Sequence, residues 1–137
     1  MTLAGQHQML LVGRLLLAAL FLVAGTRKLL AVGASVAYFT KLGFPLPEAM
    51  VWLTIAIEIG GAALLVAGWQ TRRVAWLLIA FTAVATAMAH RFWEFDAPQF
   101  ANQLNHFLKN AAIIGGLLCV VVTGAGALSV DERRKSA

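Results

Sequence analysis

Seven side chains in this sequence could do chemistry, and each lies inside or at the end of a long apolar run: Arg14, Lys28, Glu58, His90, His106, Lys109 and Asn110. An ionisable group in hydrocarbon costs a few kcal/mol even on lenient insertion scales, so such groups face a protein interior or a watery cavity. Turning each run at about 100° per residue places them on helix faces. In the first run Arg14, Phe21, Gly25 and Lys28 share one face. In the second, Glu58 lies near mid-depth with Gly61 one turn further on. In the third, Thr82, Thr86 and His90 form a polar stripe that climbs to the rim. In the fourth, His106, Lys109 and Asn110 share a face that Ile113 and Leu117 continue inward.

If the four polar stripes face one interior, Lys28, His90, His106 and Lys109 meet near one rim. Glu58 then lies below them and Arg14 approaches from the opposite half. A cationic pocket over a buried carboxylate suits an anion, a polarised carbonyl or a quinone head group, with protons passing through His or Glu. In that arrangement Lys28 and His106 hydrogen-bond the head group, Glu58 and His90 exchange protons, and Arg14 holds Glu58 ionised. Each group also has a plainer use. Arg14 can reach lipid phosphate, and Arg27 with Lys28 can anchor a helix end. Glu58 can form a structural pair with Arg14 or Lys109, or stay protonated. His90 beside Phe92 and Trp93 can be an interfacial ring. His90 and His106 have no third ligand at metal-binding spacing, so no metal is expected.

The elements that must carry these residues follow from composition. Of 137 residues, 61% are hydrophobic and only 12% are charged, whereas a soluble domain carries about a quarter charged residues. Four mostly apolar blocks are each long enough to cross a hydrocarbon core about 30 Å thick. The expectation is an all-α integral membrane protein, a four-helix antiparallel bundle forming one transmembrane domain over residues 1–137. Its spans fall at about 9–26, 49–69, 74–90 and 106–124. In the first loop Val36, Phe39 and Leu42 recur at helical spacing before Gly43, Pro45 and Pro47. This reads as a short helix at the interface or folded back on the bundle. The turn Gln70-Thr71-Arg72-Arg73 makes spans two and three antiparallel neighbours. After His90, Arg91 to Asp96 mixes rings and charges as membrane boundaries do. Pro98 breaks the stretch that follows, Gln99 to Asn105 is polar, and the tail over 129–137 is a solvated charge run with no chemistry of its own.

Other classes drop out. Cys119 is the one cysteine, so there is no internal disulfide, CxxC pair or thiolate metal site. No dinucleotide-binding, P-loop or HExxH motif occurs, and no flavin or haem motif is present. The net charge of +5 sits at span ends and in the tail, a pattern of orientation and lipid contact that gives no reason to expect nucleic acid. Residues 1–8 lack Lys and Arg, and the apolar run after them is too long for a signal peptide. With both termini cytoplasmic, five Lys and Arg lie on each side of the membrane. The dense tail cluster Arg133, Arg134 and Lys135 tips the reading to both termini inside.

At these residues the sequence resembles the DoxX family of small four-span bacterial membrane proteins. The resemblance rests on GRLLLAALFLVAGTRKL, IEIGGAALLVAG, WQTRR, AHRFWEF, NHFLKNAAIIGGLL and GAGALSVD, from about Leu11 to Asp131. The matched positions are Arg14, Gly25, Lys28, Glu58, Gly61, Arg72, His90, His106, Lys109 and Asn110. Arg27 departs from the pattern, where small or uncharged residues are commoner. The resemblance implies a bacterial inner-membrane location, kinship with the membrane subunit of a thiosulfate:quinone oxidoreductase, and respiratory or oxidative-stress redox partners.

The leading reading is therefore a redox-associated subunit that binds a quinone or similar amphiphile in a polar intramembrane pocket and is not catalytic alone. Its expected partners are the lipid bilayer, membrane or peripheral redox proteins, and a second copy of the chain. A second reading is a non-enzymatic scaffold or assembly subunit whose polar stripes are structural. A third is a transporter for small anions or lipid, which with four spans calls for a dimer.

Overall fold

The computed structural model describes residues 2–135, and six helices account for most of them. Helix α1 covers Leu3–Leu30, with the Thr2 hydroxyl accepting from the Gly5 amide at its start. Arg27 and Lys28 fill its last turn, where cations suit the negative end of the helix dipole. The chain breaks at Ala31 and resumes as α2, Val32–Lys41. Helix α3 covers Pro47–Ala67. Pro47 costs nothing there because a first-turn amide has no helical partner. Gly68 ends α3 at φ +66°, a left-handed conformation in which a side chain is strained. Helix α4 covers Thr71–Ala89 and α5 covers Ala97–Thr123, with a 3-10 turn at Phe92–Glu94 between them. A four-residue helix, α6, Val130–Arg133, is capped by Ser129.

Two boundaries differ from the sequence expectation for physical reasons. Helix α1 begins at Leu3 rather than near Met9, because the Thr2 cap carries the polar first turn. Helix α5 begins at Ala97, well before His106, because Pro98 sits in its first turn and starts the helix instead of breaking it. The polar stretch from Gln99 to Asn105 is thus helical.

Helices α1, α3, α4 and α5 are each long and apolar enough to cross a membrane. They pack as two closely fitted pairs, α1 on α3 and α4 on α5. The core between them is built from Ala18, Phe21, Leu65, Leu78 and Leu117. Large apolar side chains on the outside stay open, Leu16 at 70% and Val122 at 76% exposure, as expected where the surroundings are hydrocarbon. The pairs touch where Gly61 of α3 lets Leu78 of α4 approach: a Cβ there would lie 2.8 Å from Leu78 Cδ2. Of the two placements expected for the first-loop helix, the structure takes the folded-back one. Phe39 of α2 packs on Val51 and Ile55 of α3 and stacks on Phe44 with ring centres 4.8 Å apart.

Candidate functional site

Toward the end of the bundle where α1 meets α2, the two pairs are held apart by a cavity of about 620 Å³. That is within the range of about 300–1,000 Å³ typical of small-molecule sites. Its wall is mostly apolar, with Phe21, Phe39, Ile57, Phe81 and Ile113 among its residues. Into this wall are set Lys28, Thr54, Glu58, Thr82, His90, Lys109 and Asn110.

Lys28 and Glu58 form the central contact. The Lys28 ammonium donates to both carboxylate oxygens of Glu58, at 2.7 and 2.8 Å. The carboxylate side chain is 6% exposed and the lysine side chain 25%. The small size of Gly25, one turn before Lys28, makes this possible. A Cβ on Gly25 would lie 2.7 Å from Ile59 Cγ1 and 3.0 Å from Glu58 Cβ, so only glycine lets α1 lie this close to α3.

The facing wall comes from α4 and α5. His90 Nδ1 lies 2.9 Å from Gln103 Oε1, and the His90 ring stacks on His106 with centres 4.9 Å apart. The Lys109 ammonium donates to His106 Nδ1 at 3.0 Å, which fixes that nitrogen as an acceptor. Asn110 Nδ2 donates to the Thr86 hydroxyl at 2.9 Å. The hydroxyls of Thr86 and Thr82 donate in turn to backbone carbonyls one turn back on their own helix, at 2.6 and 2.7 Å. Their protons are spent within α4, so the threonine stripe is a wall and not a relay toward Glu58. Lys28 is neutralised by Glu58. Among the described residues Lys109 is therefore the cation of the wall without a carboxylate partner.

Of the seven residues singled out by sequence, five line this cavity: Lys28, Glu58, His90, Lys109 and Asn110. His106 stands behind His90 and Lys109, and is not itself in the wall. Arg14 is elsewhere. It is 1% exposed, and its Nη1 and Nη2 donate to the carbonyls of Leu65 and Leu128 at 3.3 and 2.7 Å. Arg14 lies in the opposite half of α1 and does not meet Glu58, so the expected contact between them is not made; the cation that Glu58 meets is Lys28. Sequence reasoning missed Thr54 and Tyr38, which also line the cavity. Thr54 lies one turn before Glu58 on the same face, a signal that was there to be read.

Arg14 belongs to a second polar cluster at the other end of the bundle. The segment after α5 folds back over the α3–α4 turn. The Asp131 carboxylate accepts from the amides of Gln70 and Thr71 at 2.7 and 2.9 Å, and its own amide donates to Gly68. Burial alone would push the Asp131 carboxyl up, but the Thr71 and Gln70 hydrogen bonds outweigh it and hold the group below its ordinary value. The tail expected to be a solvated charge run is in this part a cap on α4. Its last two residues, 136 and 137, lie outside the described residues.

The sequence profile of the DoxX family matches residues 9–91, a stretch that contains Arg14, Gly25, Lys28, Glu58 and His90. The chain is 30% identical to inner membrane protein YphA of Escherichia coli over 95% of its own length and 93% of that protein. It is 33% identical to inner membrane protein YqjF of the same organism, covering 89% and 88%. It is also 32% identical to the ER-derived vesicles protein ERV29 of Saccharomyces cerevisiae, over 61% of this chain and 27% of that protein. No solved structure matches it. With the family profile running through the Lys28–Glu58 pair and two full-length relatives beside it, the chain is a small membrane protein that belongs to the DoxX family.

Proposed function

We propose that this protein works in the bacterial inner membrane as a subunit that binds a quinone, or an amphiphile of similar head group, and serves a redox partner. The observation that carries the reading is the ion pair of Lys28 and Glu58 set into the apolar wall of a 620 Å³ cavity. Burying two charges is costly unless they are used, and replacing such a pair with apolar residues is often neutral or stabilising. A pair kept at a cavity wall is available to a ligand.

The residues present suit a quinone head. Lys28 on one wall and Lys109 and Asn110 on the other are donors on opposed sides, matching two ring carbonyls. The flat rings of Phe39 and Phe81 supply apolar contact. A quinone bound there would carry two electrons and two protons to or from a partner protein. This chain's own residues would bind and orient the ring, and Glu58 and His90 are the groups able to hold a proton beside it.

The Lys28–Glu58 pair also bears on orientation. A lysine engaged in the bundle is a weak topology signal, so its removal from the count favours the end bearing Arg72, Arg73, Arg133, Arg134 and Lys135 as cytoplasmic. The contact of Asp131 with Gln70 and Thr71 puts these five charges at one end. The termini are then cytoplasmic and the cavity lies toward the opposite face.

The test is extraction and mass spectrometry of protein purified in mild detergent, for wild type, Glu58→Gln and Lys109→Gln, with circular dichroism to show that each is folded. Stoichiometric ubiquinone or menaquinone in the wild type, lost from folded Glu58→Gln, is the expected result. Bulk phospholipid alone in all three, with the variants merely less stable, would make this a scaffold subunit.

A further inference from the structure

The cavity has an outer edge on the side of the bundle. Leu53 on α3 and Leu77, Ala80 and Val84 on α4 line it, yet all four lie on the outer surface, Leu53 at 50%, Leu77 at 49% and Val84 at 60% exposure. A residue that is both wall and outside marks an opening. The opening follows from the packing of α3 and α4. A tight turn joins them, they touch at Gly61 and Leu78, and the cavity separates them further from the turn. All four edge residues are apolar, and the surroundings at this depth are acyl chains. From this opening, Ile57 and Phe81 lead inward toward Glu58.

We propose that the gap between α3 and α4, edged by Leu53, Leu77, Ala80 and Val84, is a lateral portal through which the ligand's hydrocarbon tail runs into the bilayer. The head group stops at Lys28 and Glu58. This rests on the reading of the cavity as a ligand site and narrows the ligand class to a tailed amphiphile taken from the membrane, excluding a small anion taken from water. The continuity of the apolar gap with the buried ion pair supports this choice. A ligand from water would meet charged groups at the rim, whereas this path is edged by apolar side chains, and the hydroxyls of Thr54 and Thr82 in the same wall donate to carbonyls of their own helices. A tail gains no hydrophobic energy by leaving lipid for an apolar groove, so its position and not its affinity is the quantity to measure.

The experiment is photolabelling of the full chain in nanodiscs with a short-chain ubiquinone analogue that carries a diazirine midway along its alkyl chain. Adducts are mapped by mass spectrometry. They are expected on Ile57 and Phe81 within the gap and on Leu53 and Val84 at its edge. Ala80→Trp, which fills the opening from a lipid-facing position, should remove the Ile57 and Phe81 adducts. Ala83→Trp, on the lipid face of the same helix but away from the cavity, should leave them. Adducts confined to Tyr38 and Lys109 at the rim, or gap adducts that survive Ala80→Trp, overturn the portal. Failure of the ligand reading itself looks different: Glu58→Gln then changes neither the adduct pattern nor the quinone retained on purification. If quinone is retained and Glu58→Gln releases it while the label stays at the rim, the portal alone is wrong.

Discussion

Lys28 reaches both oxygens of Glu58, at 2.7 and 2.8 Å, from the last turn of α1 to the middle of α3. The reach depends on how closely the two helices lie, and Gly25 sets that closeness. A methyl group at Gly25 would press on Ile59 Cγ1 and on Glu58 Cβ, the second of which is fixed to the backbone and cannot swing away. Gly25→Ala should therefore cost about 1–3 kcal/mol, as overpacking does, and move α1 off α3. Thermal unfolding in detergent measures the cost. If Gly25→Ala unfolds at the wild-type temperature, the close approach is not what holds the pair.

The two halves of the ion pair are not equivalent. With Lys28→Met, Glu58 remains as a buried carboxylate with no cation, at a cost of about 3 kcal/mol or more. With Glu58→Gln, the lysine, a quarter exposed, can turn its ammonium to the rim, and the loss should be nearer 1 kcal/mol. The double variant Lys28→Met with Glu58→Gln should regain most of what Lys28→Met loses. A double-mutant cycle on unfolding temperatures reads this directly, and additive losses would show that the pair is not coupled.

The fold was largely legible because each span advertises itself by length and apolarity, and because Gly43 and Pro47 mark where one helix stops and the next starts. The site was legible in part. Glu58 is conspicuous as a carboxylate deep in an apolar run, and the helical wheel correctly put Lys28 on the α1 face that meets it. The same wheel put Arg14 on that face, and its expected place in the opposite half holds; what fails is the expected reach to Glu58, since Arg14 turns to the carbonyls of Leu65 and Leu128. Arg14 and Lys28 lie fourteen positions apart, about 21 Å along the axis, which places them at opposite ends of the bundle. The partner of Arg14 was beyond periodicity altogether: a backbone carbonyl of the C-terminal segment leaves no mark in residue type.

Arg14 should matter for folding and not for the ligand. Its two hydrogen bonds satisfy the carbonyls of Leu65 and Leu128, and a charged donor lost from a buried carbonyl costs about 1–3 kcal/mol. Gly68→Ala attacks the same contact from the other side, since a Cβ there would overlap Arg14 Nη1 and meet Ser129. Both Arg14→Met and Gly68→Ala should loosen the returning segment and speed tryptic cleavage at Arg133 and Arg134. If the proposed quinone is retained by the wild type, the folded fraction of Arg14→Met should retain it equally. Its loss from well-folded Arg14→Met would return Arg14 to the proposed ligand site.

The Asp131 cap makes the same end of the bundle sensitive to acid. Burial raises the carboxyl, the Thr71 and Gln70 amides lower it further than burial raises it, and Lys135 adds to the lowering, so the folded value lies below the ordinary 3.8. A carboxylate depressed on folding stabilises above its unfolded value, and that stability is lost as pH falls through the folded value. Asp131→Asn keeps one acceptor but no charge and should unfold at a lower temperature near neutrality, by about 1 kcal/mol of capping energy. Between about pH 7 and 5 the gap between wild type and variant should be constant, and below about pH 4 it should close as Asp131 takes up its proton. A gap that widened on acidification would mean that the Asp131 carboxylate is not held by those amides, and that the returning segment is fastened by Arg14 and by the Asp131 amide on Gly68.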